Sequence, residues 1–155
     1  VTNRKFSNGD MIIVDITLRY KGYVSDATRT FGLGKISEKA HDIYEIVKEA
    51  QKIGLRAVKP KVSCMSVDKI CRDYIKKHNY GKYFIHSTGH GIGLEIHEQP
   101  NISYRSSTNL EKDMAITVEP GIYIPRKFGV RIEDSLIVRN NPIFLHKFTK
   151  NLIVI

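Results

Sequence analysis

Carboxylates stand singly inside apolar, strand-like runs, and this constrains the chain more than any other feature. Asp15 follows Ile12-Ile13-Val14 and precedes Ile16. A lone buried carboxylate is costly, so Asp15 needs a partner. Asp26 lies eleven residues on, across a break at Lys21-Gly22 that reads as the turn of a β-hairpin. A turn centred on Tyr20-Lys21 would set Asp15 directly opposite Asp26, with Cβ atoms about 5 Å apart. Two like charges at that distance demand a shared proton or a cation between them. A divalent metal is the strongest remedy, and two unrelated surface aspartates are the plainer alternative. The pattern then repeats. Glu119 sits in Ala115-Ile116-Thr117-Val118-Glu119-Pro120 and Glu133 in Val130-Arg131-Ile132-Glu133, fourteen residues apart across a second expected hairpin. Arg131 could balance one of these acids but not all four.

His90 is flanked by glycines in Gly89-His90-Gly91-Ile92-Gly93. The spacing differs from the dinucleotide fingerprint, and no strand-to-helix turn follows it. Glycines there would admit close approach by a ligand or metal. Alone, a histidine in such a loop is more often structural. Beside four acids it becomes the natural nitrogen ligand. Oxygen-rich sites with one imidazole suit Mn²⁺, Co²⁺ or Zn²⁺, and two such ions can share carboxylates.

The rest of the chain reads as scaffold. Met11 to Leu18 and Tyr23 to Phe31 form the first hairpin. Ser37 caps a helix whose apolar positions run from Ala40 to Ala57 and stop at Pro60. A second helix is expected from near Ser66, with Val67, Ile70, Cys71, Tyr74 and Ile75 as one apolar stripe and Asp68 favouring its first turn. Met114 to Ile124 and Val130 to Arg139 read as two long strands joined by Pro125 to Gly129. Ile143 to Leu145 and Leu152 to Ile155 are short final strands. This order predicts an α+β fold, a curved antiparallel sheet with helices on one face.

With 41% apolar and 26% charged residues, the chain matches an ordinary globular domain. Its longest apolar runs are four residues, so no membrane span is expected. Arg4, Lys5 and Asp10 interrupt any signal segment. Cys64 and Cys71 are seven apart, which is no zinc spacing, and they read as small buried thiols of a reducing, cytoplasmic compartment. The net charge is +9, and Lys35, Lys39, Lys48 and Lys52 among others place the excess on helix faces. A solvated surface explains this better than nucleic-acid binding.

Four ordered strings carry a resemblance. They are Val14-Asp15 with Ser25-Asp26-Ala27-Thr28-Arg29-Thr30, then His86 through Glu98, then Val118-Glu119-Pro120-Gly121-Ile122-Tyr123, then Gly129-Val130-Arg131-Ile132-Glu133-Asp134. Over essentially all 155 residues the chain resembles the C-terminal catalytic part of the pita-bread metallopeptidases, in their Xaa-Pro branch of prolidases and aminopeptidases P.

The resemblance implies two divalent ions (Mn, Co or Zn). Asp15 would bind one, His90 and Glu119 the other, and Asp26 and Glu133 would bridge both. A bridging hydroxide would attack the Xaa-Pro bond of a dipeptide or short peptide. His97 would hydrogen-bond the carbonyl or developing oxyanion, Glu119 would shuttle the proton, and the free α-amine would lie by Asp15. His86 and Arg131 would line the substrate cleft, and with Thr28 and Thr117 could equally be structural. The resemblance further implies proline-containing peptides as partners, a cytoplasmic location and a possible homodimer. Residues 1–155 would then be a partial catalytic domain that lacks the fold's N-terminal part. The start at Val1 agrees with this, and the piece alone is expected to be weakly active or inactive. Asn101 stands where several such dipeptidases have an arginine, which leaves room for peptides longer than dipeptides. Two alternatives stay open: a binding module of the same fold with degenerate catalysis, and a methionine aminopeptidase.

Overall fold

The computed structural model describes residues 3–155; Val1 and Thr2 lie outside them. β1 (Met11–Tyr20) and β2 (Tyr23–Gly32) pair antiparallel through all ten residues of each strand. Lys21 and Gly22 make the turn with φ of 49° and 90°. Two left-handed residues match the twist of a tight hairpin. The pairing therefore pivots one residue later than the sequence suggested. Asp15 faces Thr28, and Asp26 faces Thr17. Asp15 and Asp26 are thus not directly opposed. The correction is two residues of register, and side chains alternate with period two, so both aspartates still share one face as diagonal neighbours.

α1 (Glu38–Ala57) begins as expected, with the Ala40 N–H donating to the Ser37 side chain. α2 (Cys64–Lys77) begins earlier than expected, because Ser63 rather than a residue near Ser66 caps it. Ile43, Tyr44, Val47 and Ala50 of α1 and Cys71 and Ile75 of α2 pack with Ile122, Ile124, Val130 and Ile132 into one core. A second core joins Leu55, Cys64 and Val67 to Ile102, Ile116, Val118 and Leu136. Ile70, expected in the stripe, is exposed instead. The Cys64 and Cys71 thiols are buried and unpaired, and burial pushes Cys71 up to about 12.

After a 3₁₀ turn at Gly81–Tyr83 come β3 (Gly89–Gly91), β4 (Glu98–Ile102), β5 (Ala115–Val118), β6 (Gly121–Ile124), β7 (Phe128–Arg131), β8 (Asp134–Ile137), β9 (Ile143–Phe144) and β10 (Ile153–Val154). The strands form three sheets, ordered β1-β2-β10, β4-β3-β5-β8-β9 and β6-β7. Every pairing is antiparallel except β10 with β2. The two long strands expected from Met114 and Val130 are each broken, at Glu119-Pro120 and at Ile132-Glu133. Pro120 has no N–H to offer a ladder. The β5–β8 and β6–β7 ladders keep one register, and its continuation sets Glu119 opposite Glu133 in the gap. Among the described residues no helix is long and apolar enough to cross a membrane.

The helices meet at Gly54, where an added Cβ would lie 2.4 Å from Cys71 Sγ and 3.2 Å from Val118 Cγ1. Alanine favours helices over glycine by about 1 kcal/mol. Overpacking a core costs about 1–3 kcal/mol. Gly54→Ala is therefore expected to lower stability, measured as a lower urea midpoint at unchanged slope.

Candidate metal centre

The broken strands and the first hairpin converge. The Glu133 N–H donates to the Thr28 carbonyl, and the Glu119 N–H donates to the Thr88 carbonyl beside β3. These bonds bring β2, β3 and the two gaps to one place. There Asp26, His90 and Glu133 each offer a ligand atom, all within 4.8 Å of one another. His90 Nε2 is 3.7 Å from Asp26 Oδ2 and 3.1 Å from Glu119 Oε1. The glycines beside His90 serve neighbouring backbone rather than a ligand. A Cβ on Gly89 would lie 2.0 Å from the Thr117 carbonyl oxygen, and one on Gly91 2.3 Å from that of Gln99.

Hydrogen bonds hold each of these side chains. Thr28 Oγ1 donates to Glu133 Oε2 at 2.6 Å. Thr17 Oγ1 donates to Asp26 Oδ1 at 3.3 Å. Thr117 Oγ1 donates to Glu119 Oε1 and accepts the His90 N–H, both at 3.1 Å. His90 Nδ1 donates to the Gly91 carbonyl, which aims Nε2 at the acids.

The electrostatics are those of crowded, buried acids. Burial first, then Glu119, push Glu133 up to about 8. Burial and the Asp15 charge raise Asp26 as well. Burial works to lower His90, but the hydrogen bonds to Glu119 and to the Gly91 carbonyl outweigh it and raise the imidazole. Glu133 Oε1 is buried without a hydrogen-bond partner. An orphaned carboxylate oxygen, a second buried carboxylate and an imidazole nitrogen within one small volume are the donors a divalent cation takes.

Asp15 stands outside this cluster. It is exposed, and its Oδ2 accepts from Arg131 Nη2 at 2.5 Å. Arg131 also donates to Tyr123 Oη at 2.9 Å and, through Nε, to Thr28 Oγ1 at 3.3 Å. Tyr123 in turn reaches His86 Nε2 at 2.8 Å, while His86 Nδ1 donates to the Ser87 carbonyl. Burial lowers His86, and its neutral ring accepts a hydrogen bond from the Tyr123 hydroxyl. His97 is exposed at the rim, edge-on to His90 with ring centroids 4.4 Å apart. A cleft of about 650 Å³ opens over the cluster, lined by His86, His90, His97, Asn101, Glu119 and Arg131.

Two residues escaped the sequence reading. Asp68 is wholly buried, not a helix-end charge. It accepts from Arg72, from Thr88 Oγ1 and from the Thr88 N–H, and so fixes the carbonyl that receives Glu119. Its signal was an arginine one helical turn on. Tyr123 fills the slot left by Gly121 and Gly129, where a Cβ would meet its hydroxyl at 2.6 Å and its ring at 2.7–2.9 Å. The flanking glycines were the visible sign.

A half-shell of strands backed by two helices, with carboxylates and one imidazole gathered in its cleft, defines a domain of the metallopeptidase class. The chain belongs to metallopeptidase family M24, whose model matches residues 1–140. It is 49% identical over 140 residues to a Xaa-Pro dipeptidase of Pyrococcus furiosus, covering 90% of this chain and 40% of that protein. The solved Xaa-Pro dipeptidase from Bacillus anthracis superimposes with a TM-score of 0.97 at 48% identity, over 99% of this chain and 44% of that one. A dipeptidase from Pyrococcus horikoshii OT3 gives 0.95 at 46% identity, over 98% and 43%. The chain thus has the α+β pita-bread architecture of these neighbours. It spans about 40% of the length of the curated relatives it matches.

A carboxyl held at about 8 binds its proton more tightly folded than unfolded. Its contribution to stability is complete below the ordinary glutamate value and drains away as pH rises through about 8. Raised Asp26 and His90 act in the same direction. The metal-free melting temperature is expected to fall between pH 5 and 8, and Glu133→Gln, which cannot ionise, to flatten that fall in thermal denaturation at several pH values.

Proposed function

We propose that this chain holds the metal-binding half of a Xaa-Pro exopeptidase site. The observation that carries the reading is the convergence of Asp26, His90 and Glu133, with Glu119 on His90 and one Glu133 oxygen unpartnered. Asp26 and Glu133 would be shared by two divalent ions, Mn, Co or Zn. His90 and Glu119 would complete one, and Asp15 the other through the oxygen that Arg131 leaves open. Bound there, the ions would supply an activated water at neutral pH and polarise the scissile carbonyl.

The chain's own residues do the rest. His97, at the rim, donates to the carbonyl oxygen as charge builds on it. Glu119, held by Thr117 and His90, takes the proton from the attacking water and passes it to the leaving nitrogen. Asp15 receives the substrate's free α-amine, which restricts cleavage to the first bond. Thr28 and Arg131 keep Glu133 and Asp15 in place, and Tyr123 with His86 braces Arg131 from the cleft wall. The names of the relatives support a proline-containing substrate. Asn101, an exposed residue of the cleft lining, offers no charge to a dipeptide's carboxylate, which suits longer peptides too.

Metal content tests the reading directly. Two Mn²⁺ or Co²⁺ per chain are expected after loading and dialysis, with loss on Asp26→Ala; a wild-type chain that retains none would overturn it. Slow hydrolysis of Ala-Pro in preference to Met-Ala is expected, and Glu119→Gln should lower kcat by about 10²–10⁴-fold. Preference for Met-Ala would point instead to a methionine aminopeptidase.

A further inference from the structure

The family match ends at residue 140, yet the segment beyond it grips β2, which carries Asp26, and β8, which begins directly after Glu133. β9 pairs with β8, and β10 pairs with β2. Between them, His146 Nε2 donates to the Asp26 carbonyl at 2.8 Å, beside Ser135 Oγ at 2.7 Å. Lys150 Nζ reaches Asp134 Oδ2 at 2.5 Å and Gln51 Oε1 at 3.0 Å. The carbonyls of Phe148 and Thr149 accept from Arg29.

Arg29 is the clasp. It lies on the face of β2 opposite to Asp26 and Thr28. Its guanidinium donates to the Glu133 carbonyl at 2.5 Å, to the Thr28 carbonyl at 2.8 Å and to Asp134 Oδ1 at 2.6 Å. A planar fork with five donors can meet these acceptors together, and an ammonium cannot. The side chains of His146, Lys150 and Arg29 all stay out of the ligand cluster. His146 holds the main chain at Asp26, Arg29 holds it at Thr28 and Glu133, and Lys150 holds the side chains of Asp134 and Gln51.

We infer that residues 143–155 form a strap that, through Arg29 and His146, sets the spacing of Asp26 and Glu133 and thereby the affinity for metal. This rests on the metal reading above. These are positioning residues, and their effect is on ligand geometry. Metal sites tolerate ligand displacements of only about 0.5 Å. Loss of an outer hydrogen-bond partner weakens metal binding by about 10–100-fold.

The test is Co²⁺ titration of the 155-residue chain, followed by visible absorption, with melting temperatures in parallel. His146→Leu removes the donor to the Asp26 carbonyl, and His146→Gln keeps one. Weaker Co²⁺ binding by about tenfold or more and an altered visible spectrum are expected for His146→Leu, with recovery in His146→Gln. Arg29→Lys should be weaker still; where it fails to fold, the histidine pair reads the same contact. If His146→Leu and any folded Arg29→Lys keep the wild-type affinity and spectrum while only the melting temperature drops, the strap is mere structure and the inference fails. A wild-type chain that takes up no Co²⁺ would bring down the metal reading itself, and this inference with it.

Discussion

Mutual repulsion among Asp26, Glu119 and Glu133 is the constraint around which the molecule is arranged. Three acids and an imidazole crowd the base of one cleft, with Asp26 and Glu133 buried and His90 and Glu119 half-buried. Without a cation, burial and the neighbouring acids favour the protonated forms of Glu133 and Asp26. Such an arrangement costs stability that an apolar core would not. It persists because the surrounding hydrogen bonds leave the acids nowhere else to go.

Those bonds come from several elements, and none belongs to the cluster itself. α2 contributes the Asp68–Arg72 pair, which anchors the loop before β3 through Thr88, Phe84 and His86. β2 contributes Thr28 toward the cleft and Arg29 away from it. β6 and β7 contribute Tyr123 and Arg131. Each side chain of the cluster is therefore held by at least one neighbour from a different element, which is how a set of short strands can present a fixed geometry.

The acids, the histidine and both helices could be read in advance because each breaks or keeps a simple period. Asp15 and Asp26 stood out against apolar neighbours, and their shared face survived a register error of two because parity was preserved. The turn itself was misplaced by one residue, since Tyr20-Lys21 and Lys21-Gly22 are equally plausible as strings and only the backbone angles separate them. The break at Ile132-Glu133 leaves no trace in the sequence because its flanking residues stay β-like, whereas Pro120, with no N–H for a ladder, marks the other. Asp68 looks like a helix-end charge because only its pairing with Arg72 is local; its burial depends on Thr88, twenty residues away. The strap is the extreme case, since its contacts to Arg29 and Asp26 span more than a hundred residues.

Glu119 and Glu133 lie where the sheet ladders are interrupted, and their main-chain bonds go to Thr88, Thr28 and Arg29 without involving their own carboxyl groups. Chemistry and architecture are consequently separable at these positions. Exchange of either acid for a neutral residue of similar size would leave the scaffold's backbone bonding whole and would relieve the crowding. Either exchange would therefore change the chemistry of the cleft in a single step while the domain kept its shape.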